Sequence, residues 1–554
     1  MTYVDKKQKI WIDDEINIWE SKKFKIYWQG CLFIPNIPVG EKSIGIFIKE
    51  IESQGIEQAC SMLYGNFYCL VFDKEFNIYY AFTDNSRQSF LFYDSKNPFI
   101  SSSFLHLVKL DYLKIEDMLS DSVVEFILTG FIFSSKIFFE NIKIIEADEI
   151  IIFPEDKNQI ITTRKKLGNI FFALEKPTKP KVFLEKFQKI ANSLKGYKIS
   201  IDLTGGTDTR VLMEIFCSLG LDFETAISGQ LDCSDVLISR KIAQKKDLTH
   251  FITQHIVNPE TLESELEKAF YLGDGLTNVL DSHRLCQFQE DKKKRGIDFS
   301  IGGSGGELYK DGGWFRAAFI KRNKKRIIDS LVNSGLVGWG LAKGKILGSL
   351  FSEKFSKLAI NYKRNLSQKL YTRFTGSPRQ NFYKMADQIF YEYSVRAPRG
   401  FNQRLITTYA PLLEKNIVKL GINVPEKERL FHIFYRKIVT SLDPRMAKIR
   451  TDRGDFTMHS GTYYITTDIL KMFLMNTLKK FFKKKKIEVT NPEIYSVVRN
   501  FTQTKNLLEL LKSYKIINKN VELKNIDNRY LGRLVSLGKL IKYIGENSKI
   551  QLGK

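Results

Sequence analysis

Short apolar runs separated by turn residues fill the first third of the chain. Runs rich in β-branched and aromatic residues predict strands, and the Gly, Pro, Asp and Asn residues between them predict turns. Residues 1–165 are therefore predicted to form a strand-rich first domain of antiparallel sheets with a few helices. The predicted strands are Gly45–Ile48, Gly65–Phe72, Ile78–Phe82, Phe90–Tyr93, Ile142–Ile145 and Glu149–Phe153.

The pattern changes at about residue 170, where strands begin to alternate with amphipathic helices. Such alternation predicts a parallel sheet with helices on its faces. We predict an α/β domain over residues 170–460, mostly helical beyond about residue 315, and a basic helical region over residues 461–554. The alternating segments are the helix Lys179–Leu194, the strand Tyr197–Leu203, the helix Thr209–Leu219, the strand Glu224–Ser228 and the helix Asp235–Lys245.

The net charge of the chain bears only on which partners it could bind. The chain has 554 residues, with 86 Lys and Arg against 62 Asp and Glu, so its formal net charge is +24. Such a charge attracts nucleic acids, anionic lipid headgroups and acidic metabolites, but no RNA-binding or helix-turn-helix motif accompanies it. The densest basic cluster, Leu478–Ile487, predicts a solvated helix face, with weak contact to an anionic membrane surface, an acidic partner or RNA as the alternatives.

Cysteine and histidine spacing argues against two classes of site. The six cysteines are scattered without a Cys-x-x-Cys pair, and the six histidines form no ligand-spaced cluster. Neither a disulfide framework nor a zinc site is predicted. The N-terminus lacks the apolar stretch of a signal peptide, and no segment approaches the ~20 apolar residues of a membrane-spanning helix, so a cytoplasmic location is predicted.

One segment carries clear chemistry, the string Leu203-Thr-Gly-Gly-Thr-Asp-Thr-Arg210 after a predicted strand. A glycine turn that opens a helix places backbone N–H groups and the positive end of the helix dipole at one point, which favours anions. Glycines allow close approach to phosphate oxygens, and threonine hydroxyls add donors. A carboxylate at Asp208 is compatible with phosphate if Mg²⁺ bridges the two. The string thus predicts a magnesium nucleotide site, with an ordinary capped Gly-Gly turn as the alternative.

The whole string resembles the Ser-Gly-Gly-x-Asp-Ser loop of ATP pyrophosphatases of the asparagine-synthetase family, with Thr204 and Thr209 in place of the serines. Further segments resemble the synthetase domain in order along the chain: Asp235 with Ala243, Asp274-Gly275, Ile301-Gly-Gly-Ser-Gly-Gly-Glu-Leu308, Arg396-Ala-Pro-Arg-Gly400, Tyr409–Glu414 and Leu442–Gly454. Others resemble the family's glutaminase framework: Leu63–Asp73, Thr83–Arg87, Leu91–Tyr93 and Ser101–Ser103. The resemblance covers residues 45 to 455.

This resemblance implies an α/β (α+β) chain. Its N-terminal part would be an Ntn-hydrolase-like αββα glutaminase-type domain, and its C-terminal part a PP-loop synthetase domain of the adenine-nucleotide α-hydrolase type with a helical extension. It implies that Asp208 and Glu307 hold Mg²⁺. From their position in the resembling segment, Lys448 or Arg450 is predicted to stabilise the oxyanion formed when an amine attacks an acyl-adenylate, with a surface salt bridge as the alternative. The implied ATP-binding residues are Leu203, Thr204, Gly205, Gly206, Thr207, Asp208, Thr209, Arg210, Ser228, Gly303, Gly305 and Gly306.

The sequence departs from the family at two places. A glutaminase of this type uses an N-terminal cysteine as nucleophile, whereas residue 2 is Thr2, and the Asn-Gly-Glu-Ile-Tyr-Asn segment that holds glutamine is missing. The first domain is therefore predicted to be a scaffold. The family usually has Asp-Glu where this chain has Gly306-Glu307, so one expected metal ligand is missing.

The favoured hypothesis is an ATP-dependent ligase that adenylates a carboxylate, releasing pyrophosphate and then AMP as an amine attacks. Similar members of the family, the β-lactam synthetases and lasso-peptide cyclases, use an amine already present in the substrate. The carboxylate would belong to a small molecule or a peptide; a peptide or carrier partner and an oligomer stay open. The alternatives are an ammonia-dependent amidotransferase for a surface polysaccharide and a catalytically dead nucleotide-binding scaffold.

Overall fold

The computed structural model describes the chain apart from residues 1, 6–9, 13–15, 98, 110–112, 155–159, 168–175, 312, 317–322, 333–348, 377, 379–380, 396–403, 453–455, 482–491 and 552–554. The predicted Arg396–Gly400 motif, much of the basic cluster and part of the segment ending at Gly454 lie outside the described residues. The fold is mixed α/β, as predicted.

Two sheets form most of the N-terminal region. One has the strand order β1-β2-β8-β7-β9 and the other β11-β10-β6-β5-β4-β3. Neighbouring strands are antiparallel except for the β2–β8 pair, which is parallel. The strands are β1 (Thr2–Asp5), β2 (Ile10–Ile12), β3 (Asn17–Glu20), β4 (Phe24–Gly30), β5 (Phe67–Asp73), β6 (Ile78–Thr83), β7 (Phe92–Asp94), β8 (Phe99–Ser101), β9 (Ile142–Ile144), β10 (Glu149–Pro154) and β11 (Ile161–Arg164).

The two sheets stack between helices, and strand alternation explains the layers. Successive side chains of a strand point to opposite faces. In β5, Leu70 faces the core shared with the other sheet, whereas Cys69 and Val71 face the core beneath the outer helix Glu41–Gln54. On the far side, Phe92 and Ile144 pack with residues of two further helices. The N-terminal helices are Glu41–Gln54, Ile56–Ala59, Phe104–Val108 and Ser120–Thr129.

Five of the six predicted N-terminal strands are confirmed within a few residues, but the strand over Gly45–Ile48 is wrong. That segment lies inside the helix Glu41–Gln54. Ile44, Phe47 and Ile48 are buried on one helical face, a spacing of three and four residues. A short apolar run of this kind does not distinguish strand from helix.

The strands that follow form a parallel sheet in the order β14-β13-β12-β15-β16. They are β12 (Ile199–Asp202), β13 (Glu224–Ser228), β14 (His250–Thr253), β15 (Phe299–Ile301) and β16 (Thr407–Tyr409). The helices along this part of the chain are Pro180–Leu194, Asp208–Ser218, Ser234–Lys246, Leu262–Leu272 and Val279–Lys294. The predicted parallel sheet, and the strands and helices predicted within it, are confirmed.

The strand order of this sheet reverses at its centre. From β12 the chain adds β13 and β14 on one side, then returns to add β15 and β16 on the other. In open parallel sheets, ligands bind beyond the carboxyl ends of the strands at such a reversal. The crevice between the ends of β12 and β15 is therefore where a site is expected.

Helices dominate the rest of the chain, as predicted. They are Gly313–Arg316, Lys324–Ser330, Glu353–Arg373, Phe382–Phe390, Lys415–Ile422, Glu426–Arg429, Ile433–Leu442, Pro444–Ala447, Thr462–Phe481, Pro492–Asn500, Thr502–Ser513 and Asn528–Gln551. None of the described helices is both long and apolar enough to span a bilayer. All six cysteines are free.

Contacts join the N-terminal sheets to the parallel sheet. The buried carboxylate of Glu414, just after β16, accepts a hydrogen bond from the backbone N–H of Gly65 at 2.7 Å, and burial raises the pKa of that carboxyl. The rings of Phe33 and Tyr409 meet edge to face, with centroids 5.6 Å apart. Because these contacts join distant parts of the chain, the division at residues 165 and 170 does not separate two independent cores.

Candidate functional site

Two glycine loops meet at the strand reversal. The first follows β12 and the second follows β15. An added Cβ at Gly303 would lie 2.9 Å from Cγ2 of Thr209, and one at Gly306 would lie 2.2 Å from Cγ of Asp208. The second loop thus packs directly on the start of the helix Asp208–Ser218, and the structure brings together the two segments that the sequence singled out.

The first loop is closed by its own threonines. The Thr204 N–H donates to Oγ1 of Thr209 at 3.1 Å, and the Gly206 N–H donates to Oγ1 of Thr204 at 3.1 Å. The two hydroxyls are also 3.1 Å apart. These threonines therefore shape the turn, while Gly206 and Asp208 keep part of their surface exposed.

Two residues that were predicted to bind the nucleotide, Leu203 and Arg210, are buried and support the first loop from the protein interior. Arg210 is fully buried, and its guanidinium donates to the carbonyls of Ile449 at 2.7 Å, Arg450 at 3.1 Å and Gly205 at 3.2 Å. Burial lowers its pKa to about 10. Leu203 is also fully buried, and its N–H donates to the carbonyl of Ala226. Neither side chain reaches the exposed side of the loop.

Two aspartates that the sequence did not assign to the site hold Gly205. The Gly205 N–H donates to Oδ1 of Asp235 at 2.9 Å, and the Asp452 N–H donates to the Gly205 carbonyl at 2.9 Å. Asp235 had a sequence signal, since it belongs to the Asp…Ala pattern of the resemblance. Asp452 lies within the resembling segment Leu442–Gly454, but nothing in that segment indicated this contact.

A lysine that the sequence did not single out lies at the start of the helix. The ammonium of Lys310 forms an ion pair with Oδ2 of Asp208 and lies 3.4 Å from Oγ1 of Thr207. Lys310 comes directly after the 3₁₀ turn Gly306–Tyr309 of the second loop. The first-turn aspartate therefore has a cationic partner.

The predicted magnesium ligands are Asp208, in the first turn of the helix Asp208–Ser218, and Glu307, in the 3₁₀ turn of the second loop. Position 306 has no side chain, and an oxygen of Asp208 is occupied by Lys310. Burial raises the pKa of Tyr435, and the charges of Asp208, Tyr309 and Glu307 add to this effect. Within the described ranges, no three His, Cys, Asp or Glu side chains gather as a metal-binding group. The ammonium paired with Asp208 would compete with a divalent ion held by Asp208 and Glu307 together.

Lys448 and Arg450 lie on the segment that borders the first loop. Both are exposed, and the backbone beside them is fixed by Arg210 and Gly205. The pKa of His459 is lowered by burial and by the charge of Lys448. The structure thus places the backbone of both residues beside the loop, and their role toward a substrate stays a prediction.

The remaining predicted residues occupy the neighbouring strand end and turn. Oγ of Ser228, at the end of β13, lies 2.6 Å from Nε2 of His255, whose pKa burial lowers to about 4. Gly305 has a φ of +95°, and a Cβ there would lie 2.5 Å from Cδ2 of Leu413. Glycine is therefore required at position 305 by the turn of the second loop.

The Asp274-Gly275 motif connects the N-terminal region with the α/β part of the chain. Asp274 accepts a hydrogen bond from the Ser103 hydroxyl and forms an ion pair with Arg404 at 2.6 Å. The same guanidinium donates to the carbonyl of Ser102 at 2.9 Å. This motif links the N-terminal sheets to the α/β part.

Comparison with models of known protein families gives no match to this chain, and a search among curated proteins gives none either.

Proposed function

We propose that this chain is an ATP-dependent carbon–nitrogen ligase that adenylates a substrate carboxylate and passes the acyl group to an amine. The observation that supports this most is the meeting of the two glycine loops beyond the ends of β12 and β15, where the sheet reverses. The same two loops carry the resemblance to the asparagine-synthetase family. Fold position and sequence motif thus agree on one crevice.

The first loop is suited to hold the leaving diphosphate. The first N–H groups of a helix have no partner within it, and the helix dipole adds positive potential there. The helix Asp208–Ser218 has 11 residues, long enough for its N-terminus to attract phosphate oxygens. Attack of a carboxylate on the α-phosphorus would form a mixed anhydride and release pyrophosphate toward this end of the helix.

The other parts of the proposal rest on where the residues lie in the sequence and in the fold. Lys448 or Arg450 would stabilise the oxyanion formed when the amine attacks the acyl-adenylate. The stack of helix, two sheets and helix in the N-terminal part is consistent with a glutaminase-like scaffold. A cytoplasmic location and a small-molecule or peptide substrate belong to the same proposal.

A second candidate, a nucleotide-binding scaffold without catalysis, is favoured by one observation. The ion pair of Asp208 with Lys310 lies at the start of the helix where the diphosphate would bind. If that pair stays closed, phosphate would bind weakly or turnover would fail.

Product analysis separates these candidates. The protein is incubated with magnesium, ATP labelled at the α-phosphate, a panel of amino acids and short peptides, and hydroxylamine, which traps acyl-adenylates as hydroxamates. We expect labelled AMP and a hydroxamate with at least one carboxylate, and competition between pyrophosphate and ATP for binding. Binding without AMP would favour the scaffold. ADP as the product, or no binding of ATP or pyrophosphate, would refute the ligase.

A further inference from the structure

We propose that Lys310 is the phosphate-binding cation of this site, taking the place of a protein-held divalent ion, and that Asp208 is its counter-ion. This inference rests on the proposed function, because it assumes that a nucleotide diphosphate binds at the first glycine loop. It assigns to Asp208 a role different from metal ligation.

The position of the ammonium is the first argument. A helix N-terminus disfavours a cation, because its dipole and N–H groups carry positive charge. Lys310 is nevertheless held there, with only 17% of its side chain exposed, against an Asp208 side chain that is 19% exposed. The hydroxyl of Thr207 is another polar neighbour. An anion bound by the loop would be attracted by the helix end and by this ammonium together, and Lys ammonium groups are common ligands of nucleotide phosphates.

The second argument is the space at position 306. An added Cβ at Gly306 would lie 2.2 Å from both Cγ and Oδ1 of Asp208, so the Asp208 carboxylate fills the volume that a side chain would need. Two facing carboxylates would require a divalent cation between them. Here the ammonium of Lys310 already supplies a positive charge beside the Asp208 carboxylate.

The third argument is rigidity. Tyr309, the residue before Lys310, is fully buried, and its hydroxyl donates to the carbonyl of Ile417. Its ring stacks on Tyr435 with centroids 5.5 Å apart and planes 17° apart. The backbone of Lys310 is thereby fixed, and only its flexible side chain has to turn from Asp208 to a phosphate oxygen.

Metal-free binding tests the inference. Pyrophosphate and ATP are titrated calorimetrically, with EDTA and then with excess magnesium, into the wild type and the variants Lys310→Met, Lys310→Arg and Asp208→Asn. Lys357→Met is the control, because Lys357 is exposed and, among the described residues, forms its ion pair with Glu353 of the same helix. Thermal melting of each variant establishes that it is folded.

We expect the wild type to bind pyrophosphate in EDTA. Lys310→Met should weaken that binding at least tenfold, Lys310→Arg should restore most of it, and Lys357→Met should leave it unchanged. Asp208→Asn should keep or tighten metal-free binding, because it releases the ammonium from its counter-ion.

Loss of magnesium-dependent binding in Asp208→Asn, together with no metal-free binding by the wild type, would make Asp208 a metal ligand and overturn the inference. Unchanged metal-free binding in Lys310→Met would also overturn it. Both results would leave the ligase proposal intact, whereas failure of ATP and pyrophosphate to bind the wild type even with magnesium would refute the ligase proposal itself. If Lys310→Met does not fold, the Asp208→Asn result decides alone.

Discussion

At the residue scale, two glycines of the site are required because other segments of the chain approach them closely. Gly205 and Gly306 are not among the glycines with positive φ, so a left-handed backbone conformation is not what requires glycine there. What excludes a side chain is the neighbour: Asp452 beside Gly205 and Asp208 beside Gly306. In the sequence, the glycines of the first loop were interpreted as allowing close approach to phosphate.

The substitution Gly205→Ala tests this packing. Its Cβ would lie 2.7 Å from Cβ and 3.1 Å from Cα of Asp452, so the backbone of the bordering segment has to move. Overpacking of this kind commonly destabilises by about 1–3 kcal/mol. We expect a lower unfolding midpoint in urea and at least tenfold weaker pyrophosphate binding.

Gly302→Ala is the matched control in the second loop, since its Cβ would meet only Oδ2 of Asp202, at the ordinary contact distance of 3.6 Å. If the two substitutions had equal effects on the urea midpoint and on pyrophosphate binding, contact with Asp452 would not explain why residue 205 is glycine.

At the element scale, one histidine joins three elements of the parallel sheet. His250 lies on β14; its Nδ1 is 2.9 Å from Oγ1 of Thr225 on β13, and its Nε2 is 3.2 Å from Oγ of Ser239 on the helix Ser234–Lys246. Burial, and then the charge of Arg240, lower its pKa from 6.5 to about 4. The ring is therefore neutral in the folded protein at neutral pH.

This pKa shift predicts acid sensitivity. The unfolded chain binds a proton at His250 below about pH 6.5, whereas the folded chain does so only near pH 4. The unfolded state then holds more protons, so the unfolding free energy falls as pH drops through this window and is unaffected by this group above it. We expect His250→Gln to show a smaller fall in the urea midpoint between pH 7 and pH 5 than the wild type. An identical fall in both proteins would contradict the assignment.

At the scale of the whole molecule, the N-terminal sheets and the α/β part share buried contacts at several places. Tyr362 donates to the buried Glu125 at 2.7 Å, and burial raises the pKa of that carboxyl to about 7. From the C-terminal helix, Arg533 donates to the carbonyls of Ile127 at 3.0 Å and Leu128 at 2.6 Å. The basic C-terminal region is thus attached to the N-terminal region by its last described helix.

Separating the two parts should therefore expose apolar surface. We expect residues 1–167 and residues 176–554 to be insoluble or aggregated when each is produced alone, and to form a soluble complex when they are produced together. Solubility and gel filtration measure this. A soluble, monomeric 176–554 fragment that binds pyrophosphate would show that the N-terminal part is dispensable for folding.

The sequence by itself determined the elements and the first loop. Strand and helix periodicities located the parallel sheet, and the Gly-Gly turn between β12 and its helix was readable because all its residues are contiguous. Part of the helix Glu41–Gln54 was predicted as a strand, because an apolar run as short as Gly45–Ile48 fits either periodicity.

Only the tertiary structure decided which segments meet. The strand order, which puts β15 beside β12, depends on long-range pairing that no local pattern encodes. It brings Lys310 to Asp208 across 102 residues of chain and Asp452 to Gly205 across still more. A charge on a loop looks like a solvated surface residue in the sequence, and its partner is known only when the backbone between them has folded, because Coulomb attraction depends on distance in space.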